Sequence, residues 1–129
     1  MRYGNGGDSV FSNEHQFKAS VVQLILMKES DGAVKNLSEY YNVVVPHLKV
    51  GMPKKYSKKL GCYVSKTKTI HVRSREKLED PFIVLHEFYH HLRTQDKKHR
   101  GTEKHANRFA EEFIEAFQTY SRYSFHVSY

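Results

Sequence analysis

The sequence predicts an α+β domain in which a small, mainly antiparallel sheet of about three strands packs on a central helix, with further helices at the N- and C-terminal ends. Helical apolar spacing near both ends, a β-branched stretch with a hairpin pattern in the middle, and one helix that is apolar on most sides predict it. Because 129 residues suit one core rather than two, residues 1–129 are expected to form a single domain.

Two predicted helices precede the strands. Residues 1–12 contain several glycines with little periodicity and are interpreted as a loose leader. Over residues 13–28 side chains recur at helical spacing, and Gly32 is expected to end this helix. A second, shorter helix is predicted over residues 34–41.

The middle of the chain predicts three strands. Residues 42–50 are rich in β-branched side chains but are interrupted by Pro46, which indicates a strand near a sheet edge. Residues 61–65 and 69–73 follow a basic loop, and the polar turn between them predicts a hairpin.

Two helices are predicted after the strands. Asp80 and Pro81 form a helix-start signal, because Asp accepts hydrogen bonds from free backbone amides and Pro fits the first helical position. The helix that follows, to about Thr94, is apolar on most sides and is expected at the centre of the domain. A Gly-Thr pair at 101–102 introduces a last helix with one apolar stripe, and the aromatic tail 120–129 is expected to form a final turn or strand.

The central helix carries the pattern H-E-x-x-H at His86, Glu87 and His90. Residues four apart lie on one helix face, so both imidazoles can bind one ion, and neutral imidazole is a preferred zinc ligand. Glu87 would lie beside the metal, where a general base can take a proton from water. The alternative is a pair of hydrogen-bonded core histidines beside a salt-bridged Glu87. A metal site is favoured because unpaired polar groups would be costly in a helix suited to burial.

A catalytic zinc normally has three protein ligands, so a third side chain is needed. Helical geometry favours Glu103, which lies about 60° from the centre of the last helix's apolar stripe, on its buried side. Without a metal, Glu103 would be an exposed first-turn residue stabilised by the helix dipole. Asp96, six residues after His90, is the alternative metal ligand, although Arg93 stands where a sharp turn would need glycine. The remaining candidates are His99, His105 and Glu111.

Three neighbouring residues have other expected roles. Asn107, one turn after Glu103, either hydrogen-bonds a liganding histidine or Glu103, or lies on the surface. His91 points about 100° away from His90 and is not expected to bind the metal. Cys62 is expected to be a small buried hydrophobe rather than a ligand.

The two motifs resemble those of the ImmA/IrrE family of gluzincin-type metallopeptidases, whose hallmark is H-E-x-x-H followed by E-x-x-A-N-x-F-A. Here His86-Glu87-x-x-His90 is followed by Glu103-Lys104-His105-Ala106-Asn107-Arg108-Phe109-Ala110. The size is also similar to that of minimal gluzincins. The resemblance implies a small zincin-like fold, zinc on His86, His90 and Glu103, and Glu87 as general base and acid. It also implies a substrate strand lying antiparallel to the sheet edge, in a protein substrate such as a transcriptional repressor.

Composition limits the partners and the location. The net charge is +7, and much of the basic excess lies over residues 54–75. The favoured interpretation is a lysine-rich hairpin exposed to solvent. The alternative is that this hairpin contacts nucleic acid. No apolar run reaches the ~18–20 residues of a membrane span and no secretory signal is present, so a cytoplasmic protein without membrane contact is expected. The single cysteine rules out an internal disulfide.

The sequence therefore predicts a zinc-dependent metallopeptidase that hydrolyses a peptide bond in a protein substrate. Tyr120, Tyr123 and His126 in the tail are candidate donors to the developing oxyanion. The same tail is alternatively expected to cover the cleft and keep the enzyme latent. The alternative function is a catalytically silent zincin-fold binding or regulatory module, contacting nucleic acid through its lysine-rich hairpin.

Overall fold

The computed structural model describes residues 12–96 and 101–127, with side chains as far as Tyr123. Residues 1–11 of the predicted leader 1–12 and the candidate ligand His99 lie outside these residues. The described chain forms four α-helices and three strands, which confirms the α+β class. In chain order they are α1 (Asn13–Leu26), α2 (Ser30–Tyr41), β1 (His47–Val50), β2 (Gly61–Val64), β3 (Thr69–Val72), α3 (Pro81–Asp96) and α4 (Glu103–Val127).

The N-terminal helices divide earlier than predicted. α1 ends at Leu26, and Lys28 adopts a left-handed conformation with φ 66°. The amide of Lys28 donates to the Ile25 carbonyl (3.1 Å) and that of Glu29 to the Leu24 carbonyl (2.8 Å), so the helix end is satisfied without glycine. The prediction that Gly32 ends the first helix is therefore wrong: Gly32 lies inside α2.

The sheet is mixed, with strand order β1-β3-β2. β2 and β3 form the predicted antiparallel hairpin, whereas β1 pairs with β3 in parallel, from His47 opposite Thr69 to Val50 opposite Val72. The prediction of a mainly antiparallel sheet is thus wrong for β1. β3 is the central strand, paired along both edges, and lies between β1 and β2. Of the three strands it has the most buried side chains, including Ile70 and Val72.

The central position of α3 is as predicted. The Asp80 carboxylate accepts hydrogen bonds from the amides of Phe82 (3.0 Å) and Ile83 (3.3 Å), and Pro81 occupies the first helical position. α3 contacts the other three helices as well as β2 and β3. Fully buried side chains of this helix, among them Leu85 and Phe88, belong to one core with residues of α1, α2, β3 and α4.

α4 begins at Glu103, after Thr102, whose hydroxyl accepts a hydrogen bond from the His105 amide (3.2 Å). Its predicted apolar stripe is buried against α1 and α3. The helix continues to Val127, so the prediction of a separate turn or strand from residue 120 is wrong. The apolar spacing simply extends through Phe117 and Tyr120. In the described part of the chain, no helix combines the length and apolarity that a membrane crossing requires.

Candidate metal centre

The helix α3 brings His86 and His90 onto one face. Leu85, Phe88 and Leu92, on other faces of α3, are fully buried in the core. Their packing fixes the rotation of the helix about its axis. The two imidazoles are consequently turned to the edge of the core, where their side chains are 13 % and 19 % exposed. Their Nε2 atoms are 3.3 Å apart.

Glu103, in the first turn of α4, contacts both imidazoles from the solvent-exposed side. Its Oε1 lies 2.9 Å from His86 Nε2 and its Oε2 lies 2.8 Å from His90 Nε2. One ligand atom from each of the three residues lies within 4.8 Å of the others. The structure therefore brings together the three residues that the sequence selected as metal ligands.

The two imidazole nitrogens have the spacing of ligands on one tetrahedral metal ion. Two ligand atoms that both lie ~2.05 Å from a tetrahedral zinc are about 3.3 Å apart, and the two Nε2 atoms have this separation. The 2.8 and 2.9 Å distances join them to different oxygens of the Glu103 carboxylate at hydrogen-bond length. Burial lowers the pKa of His90 and outweighs the opposing charge of Glu103, with His86 adding to the decrease, so this imidazole favours the neutral form that binds metal. Two imidazole nitrogens with one carboxylate form a set typical of catalytic zinc.

Glu87 points into the same cleft from a more buried position, with 8 % of its surface exposed. Burial, and secondarily the charge of Glu103, raises the pKa of Glu87 to about 7, although the charge of Lys59 lowers it. A carboxyl group that titrates near neutral pH can both accept and release a proton under working conditions. Its environment thus suits the general base that the motif predicted.

Gly61, at the start of β2, lets the strand approach α3 beside Glu87. A Cβ atom at this position would lie 2.8 Å from Ile83 Cγ2, 3.3 Å from the His71 carbonyl oxygen and 3.5 Å from Glu87 Cγ. Only glycine therefore fits without a shift of its neighbours. Sequence analysis missed this role, since the close approach involves residues distant in the chain.

A cleft of about 260 Å³ lies over the cluster. β2 and the loop before it form one wall, with Tyr56, Lys59, Cys62 and Tyr63; α3 extends the other wall with Arg93 and Thr94. Most of these wall residues were not selected from the sequence. They share no motif, and their common position arises only when β2 packs on α3.

His91 is fully buried and turned away from the cluster. Its Nε2–H donates to the Val44 carbonyl (2.7 Å), and its Nδ1 accepts from the Tyr63 hydroxyl (2.7 Å). Burial lowers its pKa despite the hydrogen bond to Val44, which favours the neutral ring. His91 thus connects α3 to β2 and to the segment before β1.

The other candidate ligands within the described residues do not line the cleft over the cluster. Asp96, the alternative ligand, lines a separate cavity with Tyr41 and Val43 at the far end of α3. The ring of His105 contacts the Thr102 hydroxyl, and Glu111 is exposed farther along α4.

Asn107 and Cys62 lie near the cluster without belonging to it. Asn107 is half-buried, and within the described residues it has no hydrogen bond to His86, whose Nδ1 is buried without a hydrogen-bond partner there. Cys62 is buried, as predicted, and also lines the cleft. Burial, followed by the charge of Glu87, raises the pKa of its thiol.

The aromatic tail does not provide groups to the cleft. Tyr120 lies 17 residues beyond Glu103 on one helix, which corresponds to about 25 Å of helix length. It lines an apolar groove with Leu26 and Phe117, and Tyr123 is exposed on the same helix. The predicted oxyanion role of these tyrosines and the predicted covering of the cleft are therefore wrong for residues 120–123; the His126 side chain lies outside the described part.

The two motifs that carry the resemblance to the ImmA/IrrE family lie on α3 and α4, and His86, Glu87 and His90 of the first motif line the same cleft as Glu103 of the second. This geometry does not by itself assign a family, because unrelated folds can present the same donor set. Comparisons of the chain with protein-family models, curated proteins and solved structures give no match.

Proposed function

We propose that the protein is a zinc-dependent peptidase that hydrolyses a peptide bond in a protein substrate. The observation that carries this proposal is the convergence of His86, His90 and Glu103 beside the buried Glu87 in an open cleft. A structural zinc site would more commonly have four protein ligands and no accessible cleft.

The chain's own residues divide the reaction between them. His86, His90 and Glu103 would hold zinc, which when bound activates water for attack and polarises the scissile carbonyl. Glu87 accepts a proton from the attacking water and later delivers it to the leaving amine. Its pKa of about 7 supports both transfers, because neither protonation state is strongly disfavoured near neutral pH.

The neighbouring strand supports a peptide as the substrate. β2 is an outer strand of the three-stranded sheet, and its residues Gly61, Cys62 and Tyr63 line the cleft. An extended peptide can add to such an edge through main-chain hydrogen bonds, which places a backbone carbonyl along the cleft. The substrate strand implied by the family resemblance would occupy this edge.

Replacement of Glu87 by glutamine tests the proposal. Zinc-loaded wild-type protein is expected to cleave unfolded casein, and Glu87→Gln is expected to lower kcat by roughly 10²–10⁴-fold, because the amide cannot accept the proton. Zinc content, measured by elemental analysis, should stay near one ion per chain in both proteins. Exposed Glu111 provides the matched control, since Glu111→Gln lies away from the cleft and should retain wild-type activity.

Two outcomes would contradict the proposal. Equal hydrolysis by wild type and Glu87→Gln would exclude the assigned base. Tight zinc binding by a protein that cleaves no unfolded substrate would instead favour the catalytically silent binding module.

A further inference from the structure

The charges on the cleft walls are unbalanced. The acidic side chains that line it are Glu87 and Glu103, and the proposed function uses both of them. The basic side chains that line it, apart from the histidines, are Lys59 and Arg93. Within residues 12–96 and 101–123, neither of these two forms an ion pair with a carboxylate.

Lys59 is held over the cleft by its loop. Arg73, just after β3, donates from Nε to the Lys59 carbonyl (3.0 Å) and from its guanidinium to the Ser57 carbonyl, and its amide donates to the Leu60 carbonyl (2.9 Å). The Lys59 ammonium also lies 5.9 Å from the centre of the Tyr56 ring, which lines the same wall. These bonds hold the backbone of the loop, so the exposed Lys59 side chain extends from a fixed position beside the cleft.

The position of Lys59 places its charge close to the reacting groups. Lys59 lines the cleft together with Glu87, Glu103 and Cys62. Its charge will therefore act on a ligand that occupies the cleft. Lys58 and Lys59 are both exposed, but only Lys59 lines the cleft, so the two lysines differ in placement rather than in charge.

Arg93 supplies the second charge, one turn after His90 on α3. Its guanidinium packs against the chain at Gly101, where an added Cβ would lie 1.7 Å from Arg93 Nε. That Nε is buried and has no hydrogen-bond partner within the described residues. Among the described residues, Arg93 therefore adds a cation without a carboxylate partner at the wall of the cleft opposite Lys59.

From these positions we infer that the cleft selects an acidic peptide, with Asp or Glu at a position next to the bond over the His86–His90–Glu103 cluster. The inference rests on the proposed function, because it names the substrate class of the same cleft. The two cations attract an acidic side chain and gain nothing from a neutral one. Charges at partly exposed sites add only a small part of the total binding free energy, but that part distinguishes acidic from neutral peptides.

Peptide binding tests the inference without requiring hydrolysis. The probes are ten-residue peptides with the same fluorescein label and otherwise uncharged side chains, which carry either Glu or Gln at one of the two positions on each side of the central bond. Dissociation constants are measured by fluorescence anisotropy on zinc-loaded Glu87→Gln protein. At one position the Glu peptide should bind about tenfold more tightly than its Gln partner.

Charge reversal separates the two lysines. In the Glu87→Gln background, Lys59→Glu should remove or reverse the preference for Glu, Lys59→Gln should reduce it, and the matched control Lys58→Glu should retain it. Equal affinities for Glu and Gln peptides at every position, no measurable peptide binding, or an unchanged preference in Lys59→Glu would overturn the inference. A single-stranded oligonucleotide that displaces the Glu peptide, with Lys58→Glu and Lys59→Glu weakened alike, would also overturn it and assign the basic surface to nucleic acid.

Wild-type cleavage of the same peptides distinguishes the inference from the proposed function. Selective binding of the Glu peptide without cleavage by the zinc-loaded wild type would retain the inference and reject hydrolysis. Cleavage of Glu and Gln peptides with equal kcat/KM would retain hydrolysis and reject the inference.

Discussion

Glu87 and Cys62 lie on opposite walls of one cleft, and burial changes the proton chemistry of both. The carboxyl pKa of Glu87 rises to about 7, and the pKa of the Cys62 thiol rises above its ordinary 9.0. Desolvation disfavours the charged form of each group, and the negative charge of Glu87 adds to the effect on Cys62. The same environment that prepares Glu87 for proton transfer therefore keeps the thiol protonated and unsuited to metal binding.

We predict that Cys62 reacts slowly with iodoacetamide in the native protein. The thiolate is the reactive form, so a raised pKa reduces the rate at a given pH, and burial limits access to the sulfur. At pH 8 the native rate should be at least about tenfold below that of the urea-unfolded protein, and the midpoint of the native rate against pH should exceed 9.0. The chain has one cysteine, so the signal is unambiguous. Equal native and unfolded rates would contradict the assignment.

The convergence of the three candidate ligands could be predicted because the placement of each depends on local geometry. His86 and His90 share a face of any helix that contains them, and Glu103 follows from the position of the apolar stripe on its own helix. Lys59 and Arg93 could not be predicted in the same way. Their meeting across the cleft depends on how β2 and its loop pack against α3, and no short-range pattern records that contact.

At the level of elements, the position of α3 determines the geometry of the site. Asp80 fixes where the helix begins, and His91 ties it to Tyr63 of β2 and to Val44. Gly61 then sets how closely β2 approaches the helix beside Glu87. Gly61, which has no side chain, therefore controls the spacing between β2 and Glu87.

Gly61→Ala is expected to destabilise the protein by about 1–3 kcal/mol, because the new methyl group would overlap Ile83 in a packed core. Urea unfolding of the metal-free protein measures this change, and peptidase activity should fall as the strand moves away from Glu87. Gly32→Ala is the matched control, since a Cβ in α2 meets nothing within 4 Å. It should be neutral or stabilising by up to ~1 kcal/mol. A Gly61→Ala protein as stable and active as wild type would reject the close-approach role.

The elements that sequence analysis misjudged depend on conformations or pairings without a strong sequence signal. α1 ends through a left-handed Lys28, where a glycine would have marked the end. The residues of β1 predict an edge strand, which it is. They carry no signal for its parallel pairing with β3, which lies between β1 and β2. By contrast, the Asp80-Pro81 start of α3 depends on adjacent residues alone and was predicted correctly.

At the level of the whole molecule, the proposed ion joins two helices that share one core. α3 supplies His86 and His90 and α4 supplies Glu103, while apolar residues from all four helices and β3 pack together beneath them. Because the folded chain already gathers the three donors, zinc should bind the native state more tightly than the unfolded chain. The core thus arranges the site, and the bound ion in turn should stabilise the fold.

The most direct test of this account is X-ray absorption at the zinc edge on the protein loaded with one equivalent of zinc. The account predicts a first shell of nitrogen and oxygen only, at ~2.0–2.1 Å, with the outer scattering of two imidazoles. Glu103→Ala should weaken zinc binding and change that shell, whereas Asp96→Asn should leave both as in wild type. A sulfur shell near ~2.3 Å, the absence of stoichiometric zinc, or a Glu103→Ala spectrum identical to wild type would contradict it.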